Sequence, residues 1–259
     1  MSFFINAEGL KYSNLINNID FQVRKNEFIA ISGSNNSGKT TLIKVLSKKL
    51  PTKKSVLINN KYIEEYNIIE LKKIIGTVIY SDNNIYREKT VEEELLYLLQ
   101  DKNNKRYNEI VKLFKLNKYK EVNPNDLDEL TNIKLRIAKE IILKPKILLL
   151  DDICLNMTKK EKEEILDIIE YLKKEEKMTI IMSTQNLEDT LNCDYIYILS
   201  KGNVELEGTP MEVLEKDNIL NRLGLEVPFM IDLSVKLRDY DLIKDIELDM
   251  DRMVDILWK

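Results

Sequence analysis

A segment at residues 33–41 constrains the fold of this chain more than any other part of its sequence. The segment, GSNNSGKTT, contains the pattern G-x-x-x-x-G-K-T and directly follows the apolar run at residues 28–31. This pattern is a P-loop, in which backbone N–H groups turn inward around phosphate oxygens. The sequence therefore predicts a buried strand, a phosphate-binding loop and a helix in direct succession.

The side chains of this loop have separate predicted roles. Lys39 is placed to reach the β and γ phosphates of a nucleoside triphosphate, and the Thr40 hydroxyl is placed to bind Mg²⁺. The predicted nucleotide-binding residues of the loop are Gly33, Ser34, Asn35, Asn36, Ser37, Gly38, Lys39, Thr40 and Thr41. Because a P-loop also suits kinases and small GTPases, the rest of the site has to decide between these classes.

The composition excludes several other kinds of site. The 40 basic and 44 acidic residues give a net charge of −4 and are spread along the chain, so no nucleic-acid partner is expected. Histidine is absent, which removes imidazole metal ligands and the commonest general base. The two cysteines, Cys154 and Cys193, are expected to be reduced and buried. No apolar run approaches the ~18 residues of a membrane span, so we expect a cytoplasmic chain.

Predicted strands and helices alternate along the chain. Short apolar runs predict strands at residues 3–10, 19–23, 27–32, 56–58, 74–80, 147–150 and 178–183, and a hairpin at residues 195–200 and 204–207. Helical spacing predicts helices at residues 38–48, 159–174 and 228–237, and several more between residues 91 and 143. This alternation favours an α/β fold with a parallel sheet covered on both faces and interrupted by a helical insert.

Two carboxylates follow the apolar run at residues 147–150, which is typical of a buried parallel strand. Asp151 has the position of a Walker B aspartate, which holds Mg²⁺ through water opposite Thr40. The predicted metal-binding residues are therefore Thr40 and Asp151. The alternative for Asp151 is a carboxylate in a turn at the end of a strand.

These motifs together resemble the ATP-binding subunits of ABC transporters over nearly the whole chain. The matching residues are Tyr12, which corresponds to the aromatic residue that stacks on adenine, the P-loop, PKILLLDD at residues 145–152 and KGNVELEGTPMEVL at residues 201–214. The segment RLGLEVPFMIDLSVKLRD, at residues 222–239, is similar to the C-terminal extension of energy-coupling factor (cobalt and vitamin importer) ATPases. In that family the extension helps to pair two ATPase subunits.

The resemblance implies a fold, ligands and partners. The fold is a P-loop NTPase (RecA-like) core with an antiparallel β subdomain, a helical insert at about residues 85–143 and a small C-terminal extension. Residues 1–217 would form the nucleotide-binding domain, and residues 218–259 would pair subunits. The ligands would be ATP and Mg²⁺. The chain would lie on the inner face of the cell membrane, bound to an integral membrane transporter subunit and to a second ATPase subunit. A paralogue is favoured as this second subunit, and a second copy of the chain remains the alternative.

The hydrolytic positions depart from the family pattern. The LSGGQ signature is replaced by LDELT at residues 127–131, and the D-loop position has LNMT at residues 155–158. Asp152 stands where the family has the catalytic glutamate, Gln185 replaces the switch histidine, and Tyr80 replaces a glutamine. The sequence thus predicts retained nucleotide binding and weakened turnover, with Asp152 and Gln185 as weak catalytic substitutes.

Three functions remain open at this point. In the leading hypothesis, the chain couples ATP binding and weak or partner-dependent hydrolysis to import, as an energy-coupling factor ATPase. Alternatively, it is a non-hydrolysing structural or regulatory subunit that pairs with an intact paralogue. A soluble ABC ATPase of DNA repair or translation is less favoured, because the sequence has one P-loop and no long coiled-coil insert between its Walker motifs.

Overall fold

The computed structural model describes residues 3–82, 86–99 and 104–258. Its strands are β1 (Ile5–Tyr12), β2 (Ile16–Val23), β3 (Phe28–Ser32), β4 (Val56–Ile58), β5 (Lys61–Tyr62), β6 (Ile75–Ile79), β7 (Ile147–Asp151), β8 (Thr179–Thr184), β9 (Tyr195–Ser200) and β10 (Asn203–Gly208). Its helices are α1 (Lys39–Leu46), α2 (Ile68–Lys72), α3 (Val91–Leu98), α4 (Asn104–Leu113), α5 (Glu129–Ile141), α6 (Lys159–Lys174), α7 (Pro210–Leu214), α8 (Asp217–Arg222), α9 (Phe229–Asp239) and α10 (Met250–Leu257).

The larger sheet has the strand order β10-β9-β3-β8-β7-β6. Its neighbours from β9 to β6 are parallel, and β10 is an antiparallel edge strand that forms a hairpin with β9. Strands β3, β7 and β8 are buried at every residue, as expected for parallel strands covered on both faces. This sheet brings the loops that follow β3, β8, β7 and β6 to one edge.

The smaller sheet is antiparallel, with the strand order β2-β1-β4-β5. Strand β2 begins at Ile16, three residues before the predicted start, because Ile16 pairs with Tyr12 across a short turn. The polar residues Asn17 and Asn18 interrupt the apolar pattern there and conceal this part of the strand in the sequence. The predicted antiparallel subdomain is therefore present, with a longer second strand.

Helices α3, α4 and α5 lie between β6 and β7, where the sequence predicted a helical insert. The predicted start of the insert, residue 85, lies outside the described residues, as do the two ends of the predicted domains, residues 1 and 259. Apolar residues of α5, including Ile133 and Ile137, pack in one buried cluster with Leu148 and Leu150 of β7. The helical elements therefore share a hydrophobic core with the sheet.

Helices α1, α6 and α9 lie close to their predicted bounds. Helix α6 begins at a capping box, in which Thr158 and Glu161 each bind the other's backbone N–H. Helix α9 follows Pro228. Strand β5 and helices α2, α7, α8 and α10 were not predicted. Within the described residues, no helix has both the length and the apolar character needed to cross a bilayer. The predicted α/β fold is confirmed. The boundary between a nucleotide-binding domain at residues 1–217 and an extension at residues 218–259 stays a prediction.

Candidate functional site

The predicted site residues meet at the carboxyl edge of the larger sheet. In the parallel register, Ser32 lies beside Thr184, and Asp151 lies between Ser183 and Ile79. One predicted group follows each strand end: the P-loop follows β3, Gln185 follows β8, Asp152 follows β7 and Tyr80 follows β6. Open α/β sheets bind ligands at this edge, so the topology alone places these groups around one site.

The P-loop needs its two glycines for steric reasons. Gly33 has φ of 152°, and a Cβ atom there would lie 2.2 Å from the backbone oxygen of Leu199. Gly38 has φ of 112° at the N-cap of α1, and a Cβ atom there would lie 2.8 Å from the backbone oxygen of Leu15. Both positions therefore exclude other residues, because the loop packs directly on β9 and on the turn before β2.

Lys39 lies inside the loop. Its ammonium donates hydrogen bonds to the backbone oxygens of Gly33 at 2.8 Å and Ser34 at 3.1 Å. Burial lowers the pKa of Lys39, while the charges of Asp152 and Asp151 act in the opposite direction. The ammonium is thus held at the start of the loop and close to both carboxylates.

Asp151 is buried at the end of β7 and is oriented by a neighbour that the sequence analysis missed. The Ser183 hydroxyl donates to Asp151 Oδ1 at 2.5 Å. Among the described residues, Oδ2 of the same carboxylate accepts no hydrogen bond, so it remains available to a metal-bound water. The feature that could have identified Ser183 is its position near the end of β8, the neighbouring parallel strand, where it lies beside Asp151.

Asp152 follows with a left-handed backbone, at φ of 49°. Its N–H donates to Ser183 Oγ at 3.1 Å. Burial, and then the charge of Asp151, raises the pKa of the Asp152 carboxyl, and Lys39 partly offsets this. Asp152 thus differs from the glutamate of the family in having a shorter side chain, and its raised pKa shifts the carboxyl toward the neutral form.

Gln185 contacts the P-loop directly. Its side-chain Nε2 donates to Asn35 Oδ1 at 2.8 Å, across the gap between the ends of β8 and β3. The supporting residue Thr184 donates its hydroxyl to the buried Asp189 at 2.8 Å. The loop after β8 is therefore fixed to the core on one side and to the P-loop on the other.

The LDELT segment forms the start of α5. Asp128 is the N-cap residue, and its carboxylate accepts from Thr131 N at 2.9 Å and from Thr131 Oγ1 at 2.8 Å. A helix N-terminus normally offers free N–H groups and a positive partial charge to an anion. Here a carboxylate of the chain itself already binds one of those N–H groups.

A polar bridge joins three of the altered positions. The Tyr80 hydroxyl donates to Glu129 Oε1 at 2.5 Å, and Asn156 Nδ2 donates to the Tyr80 oxygen at 3.4 Å. The hydrogen bond to Glu129 raises the pKa of Tyr80. The end of β6, the start of α5 and the loop after β7 are therefore linked through one phenol.

Tyr12 ends β1 and is half-buried against the core of the smaller sheet. The turn that follows it brings the Leu15 oxygen against Gly38, and the Asn17 N–H donates to the Gly202 oxygen at 2.8 Å. The hairpin that carries Tyr12 therefore packs against the base of the P-loop. A stacking contact of Tyr12 with a base stays a prediction.

Two open clefts flank the first half of the P-loop, and both include Ser34 and Asn35. The first cleft, of about 600 Å³, is lined by residues 34–37, by Ser200, Lys201 and Glu205, and by Arg222 and Leu223. The second, of about 400 Å³, is lined by residues 34–35, by Gln185 and Asn186, and by residues 224–226. The first residues of the predicted C-terminal extension thus border the loop on two sides, which the sequence did not indicate.

The loop has the features of a phosphate site. Ser37 is buried, and its hydroxyl has no hydrogen-bond partner among the described residues. An unpartnered buried hydroxyl in a loop of this shape matches the need of a phosphate oxygen for donors. The donor set of Lys39, Thr40 and Asp151 also fits a Mg²⁺–triphosphate, since oxygen ligands are those that Mg²⁺ prefers.

A parallel sheet with a P-loop after one strand and a carboxylate after a neighbouring strand defines a P-loop NTPase. The chain belongs to the ABC transporter family, whose model matches residues 16–155. It is 28% identical over 251 residues to the energy-coupling factor transporter ATP-binding protein EcfA of Enterococcus faecium, with 94% of this chain and 90% of that protein covered. It is also 28% identical over 276 aligned residues to EcfA1 of Caldanaerobacter subterraneus, with 99% of each chain covered.

The solved structure of cbiO1 from Clostridium perfringens, described as part of the ABC transporter complex cbiONQ, has the same fold. It matches with a TM-score of 0.76 at 23% identity, over 90% of this chain and 99% of that one. The predicted resemblance to energy-coupling factor ATPases is confirmed by the named relatives. The weakened hydrolysis stays a prediction.

Proposed function

We propose that this chain is the ATP-binding subunit of an energy-coupling factor type importer, and that it couples ATP binding and weak or partner-dependent hydrolysis to membrane transport. The observation that carries the proposal is the joint placement of Lys39 and Asp151 at one sheet edge, in a chain similar to EcfA proteins over nearly its full length. The names of these relatives contain the word transporter, and we propose the same role for this chain.

The ligands follow from the same groups. Lys39 and the backbone N–H groups of the loop would hold the phosphates of ATP. Thr40 and Asp151 would hold Mg²⁺, which when bound neutralises charge on the phosphates. Ser183 orients the Asp151 carboxylate for this role. Tyr12 is the proposed residue for stacking on adenine.

A second function within the same complex is favoured by the start of α5. Because Asp128 binds Thr131 of its own helix, and Glu129 adds a second negative charge, this helix end is poorly suited to a γ phosphate on another subunit. The chain would then act as a non-hydrolysing structural or regulatory subunit beside an intact paralogue. A steady-state ATPase measurement on the purified chain separates this role from active turnover.

Two exposed apolar surfaces support the proposed partners. The first lies on the extension, where Phe229, Tyr240, Leu242, Leu248, Met250, Val254, Ile256, Leu257 and Trp258 are exposed. The second is on α2, where Ile68 and Ile69 are 69% and 72% exposed and Ile68 lines a groove that also contains Glu140. Several large apolar side chains exposed on one segment are candidates for an interaction site, because contiguous exposed apolar patches mark such sites. We assign the extension to a second ATPase subunit and α2 to the membrane subunit, on the inner face of the membrane.

The proposal is tested by calorimetric titration of the chain with MgATP. Lys39→Ala should weaken binding about ten- to hundred-fold, because a charged hydrogen bond to phosphate is lost. Lys44→Ala, in the same helix, is the matched control and should bind as the wild type does. A wild-type chain that does not bind MgATP, or a Lys39→Ala variant that binds it equally well, would refute the proposal.

A further inference from the structure

Residues 240–258, the acidic segment, carry large apolar side chains on their surface. Met253 is the one buried residue of α10, a helix that the structure describes completely. Met250, Val254 and Leu257 have the spacing of one helix face, and all three are exposed. The other exposed apolar residues of the segment are Tyr240, Leu242, Leu248, Ile256 and Trp258. The segment therefore offers an apolar surface that the rest of the chain does not cover.

The acidic segment also accounts for the net charge of the chain, which is −4. It contains six acids and two bases, namely Asp241, Asp245, Glu247, Asp249, Asp251, Asp255, Lys244 and Arg252. Subtracting these from the 44 acidic and 40 basic residues of the chain leaves 38 of each. Within the described residues, none of the six acids has an ion-pair partner. The excess of negative charge is thus concentrated around the exposed apolar side chains.

This combination restricts which surface can cover the segment. Exposed apolar side chains favour burial against another molecule. Nucleic acids and the inner leaflet of a membrane are anionic, so both would repel the six carboxylates. A second copy of the chain, paired through a twofold axis, would place the same carboxylates against themselves. An apolar protein surface bordered by lysine and arginine avoids all of these repulsions.

We propose that the acidic segment docks on a paralogous ATPase subunit whose apolar surface is bordered by lysine and arginine, and that its carboxylates disfavour pairing of two copies of this chain. The inference rests on the proposed function, which assigns the extension to a second ATPase subunit, and it states the chemistry of that subunit. The carboxylates supply specificity rather than most of the affinity, because like charges brought together at an interface act against the wrong partner.

The test uses the full chain without nucleotide and a charge-reversed copy of it, with Asp245→Lys, Asp251→Lys and Asp255→Lys. These three acids accept no hydrogen bond among the described residues, whereas Asp249 caps α10 and is kept. In analytical ultracentrifugation, the wild type should bind this copy about ten- to hundred-fold more tightly than it binds itself, because like charges become opposite ones. The difference should shrink at 1 M salt, where the Debye length is only about 3 Å.

Trp258 reports directly on the same surface. It is the single tryptophan of the chain and is 81% exposed. When the charge-reversed copy also carries Trp258→Phe, the emission of the wild-type tryptophan should shift to shorter wavelength on mixing, because the indole becomes buried. Vesicles of anionic phospholipid should give no such shift.

Two further variants separate charge from general damage. The neutralised variant, with Asp245→Asn, Asp251→Asn and Asp255→Asn, should associate with itself about two- to ten-fold more tightly than the wild type does. The matched control neutralises three exposed acids in α6 and at its C-cap, through Glu163→Gln, Asp167→Asn and Glu175→Gln. This control should associate as the wild type does.

Several results would overturn the inference. They are mixed association no tighter than that of the wild type with itself, an equal gain in the α6 control, a shift of Trp258 emission with vesicles, and a chain that stays monomeric in every combination. Because no nucleotide is present, these results do not depend on MgATP binding. A wild type that does not bind MgATP would instead refute the proposed function.

Discussion

The carboxylate of Asp128 binds both the N–H and the hydroxyl of Thr131, at 2.9 and 2.8 Å. The N-terminus of helix α5 is therefore already bound by a carboxylate of the chain itself, at the place where a helix would otherwise bind an external anion such as a phosphate. We expect Asp128→Ala to lower the free energy of unfolding by about 1 kcal/mol, because an N-cap is lost. Asp128→Ser, which keeps a capping oxygen without the charge, should restore most of it.

Urea denaturation measures these differences. Asp126→Ala is the control, because Asp126 is an exposed acid two residues earlier that does not cap α5, and its change should stay within about 0.5 kcal/mol. Equal stability of Asp128→Ala and the wild type would show that this cap contributes nothing in solution.

The bridge through Tyr80 gives a second prediction. Tyr80→Phe removes the hydroxyl that binds Glu129 and Asn156 while keeping the ring. We expect a loss of about 0.5–1.5 kcal/mol in stability and faster amide exchange in the first turn of α5. MgATP affinity should not change, because the bridge lies outside the P-loop. Unchanged exchange at residues 129–132 would contradict a linking role for Tyr80.

Asp152 predicts a pH dependence of stability in the nucleotide-free chain. Its pKa is raised in the folded state, so its stabilising contribution is present below about pH 4 and is lost as pH rises through the raised pKa. Asp152→Asn should therefore be more stable than the wild type at pH 7, by less than about 1 kcal/mol because the group is partly solvated.

The difference should vanish near pH 4, and thermal unfolding at both values measures it. Asparagine also tolerates the left-handed backbone at this position, so the substitution adds no strain. A variant that is less stable than the wild type at neutral pH would contradict the raised pKa.

Hydrolysis is expected to be slow in an assembly made only of this chain. A positioned general base is worth about 100- to 10,000-fold in rate, and Asp152 is one methylene shorter than glutamate. Asp152→Glu with Gln185→His should leave a homodimer slow, because LDELT is unchanged. The same double variant paired with a paralogue that has an intact signature should release phosphate faster.

The left-handed φ of residue 152 should make the double variant less stable than the wild type. A glutamate in this conformation costs about 1–2 kcal/mol relative to an unstrained backbone, so the double variant should unfold at lower denaturant than the wild type. Phosphate release at saturating MgATP is the measurement. Brisk turnover by the unmodified chain alone would show that the altered positions do not limit hydrolysis.

The sequence by itself determined the parts of the site that depend on local pattern. The P-loop is recognisable because its glycines and Lys39 have a fixed spacing, and Asp151 is recognisable because it follows a run of buried apolar residues. Strand and helix periodicity also predicted most elements to within a few residues. These features depend on near neighbours in the chain, which sequence patterns describe directly.

The tertiary structure alone decided which distant residues meet. The strand order places Ser183 beside Asp151, and packing brings Tyr80 to Glu129 and residues 222–226 to the P-loop. Polar residues such as Ser183 and exposed ones such as Arg222 add nothing to the hydrophobic periodicity, which records only the face that is buried. Their contacts become visible only once the sheet and the extension have packed around the loop.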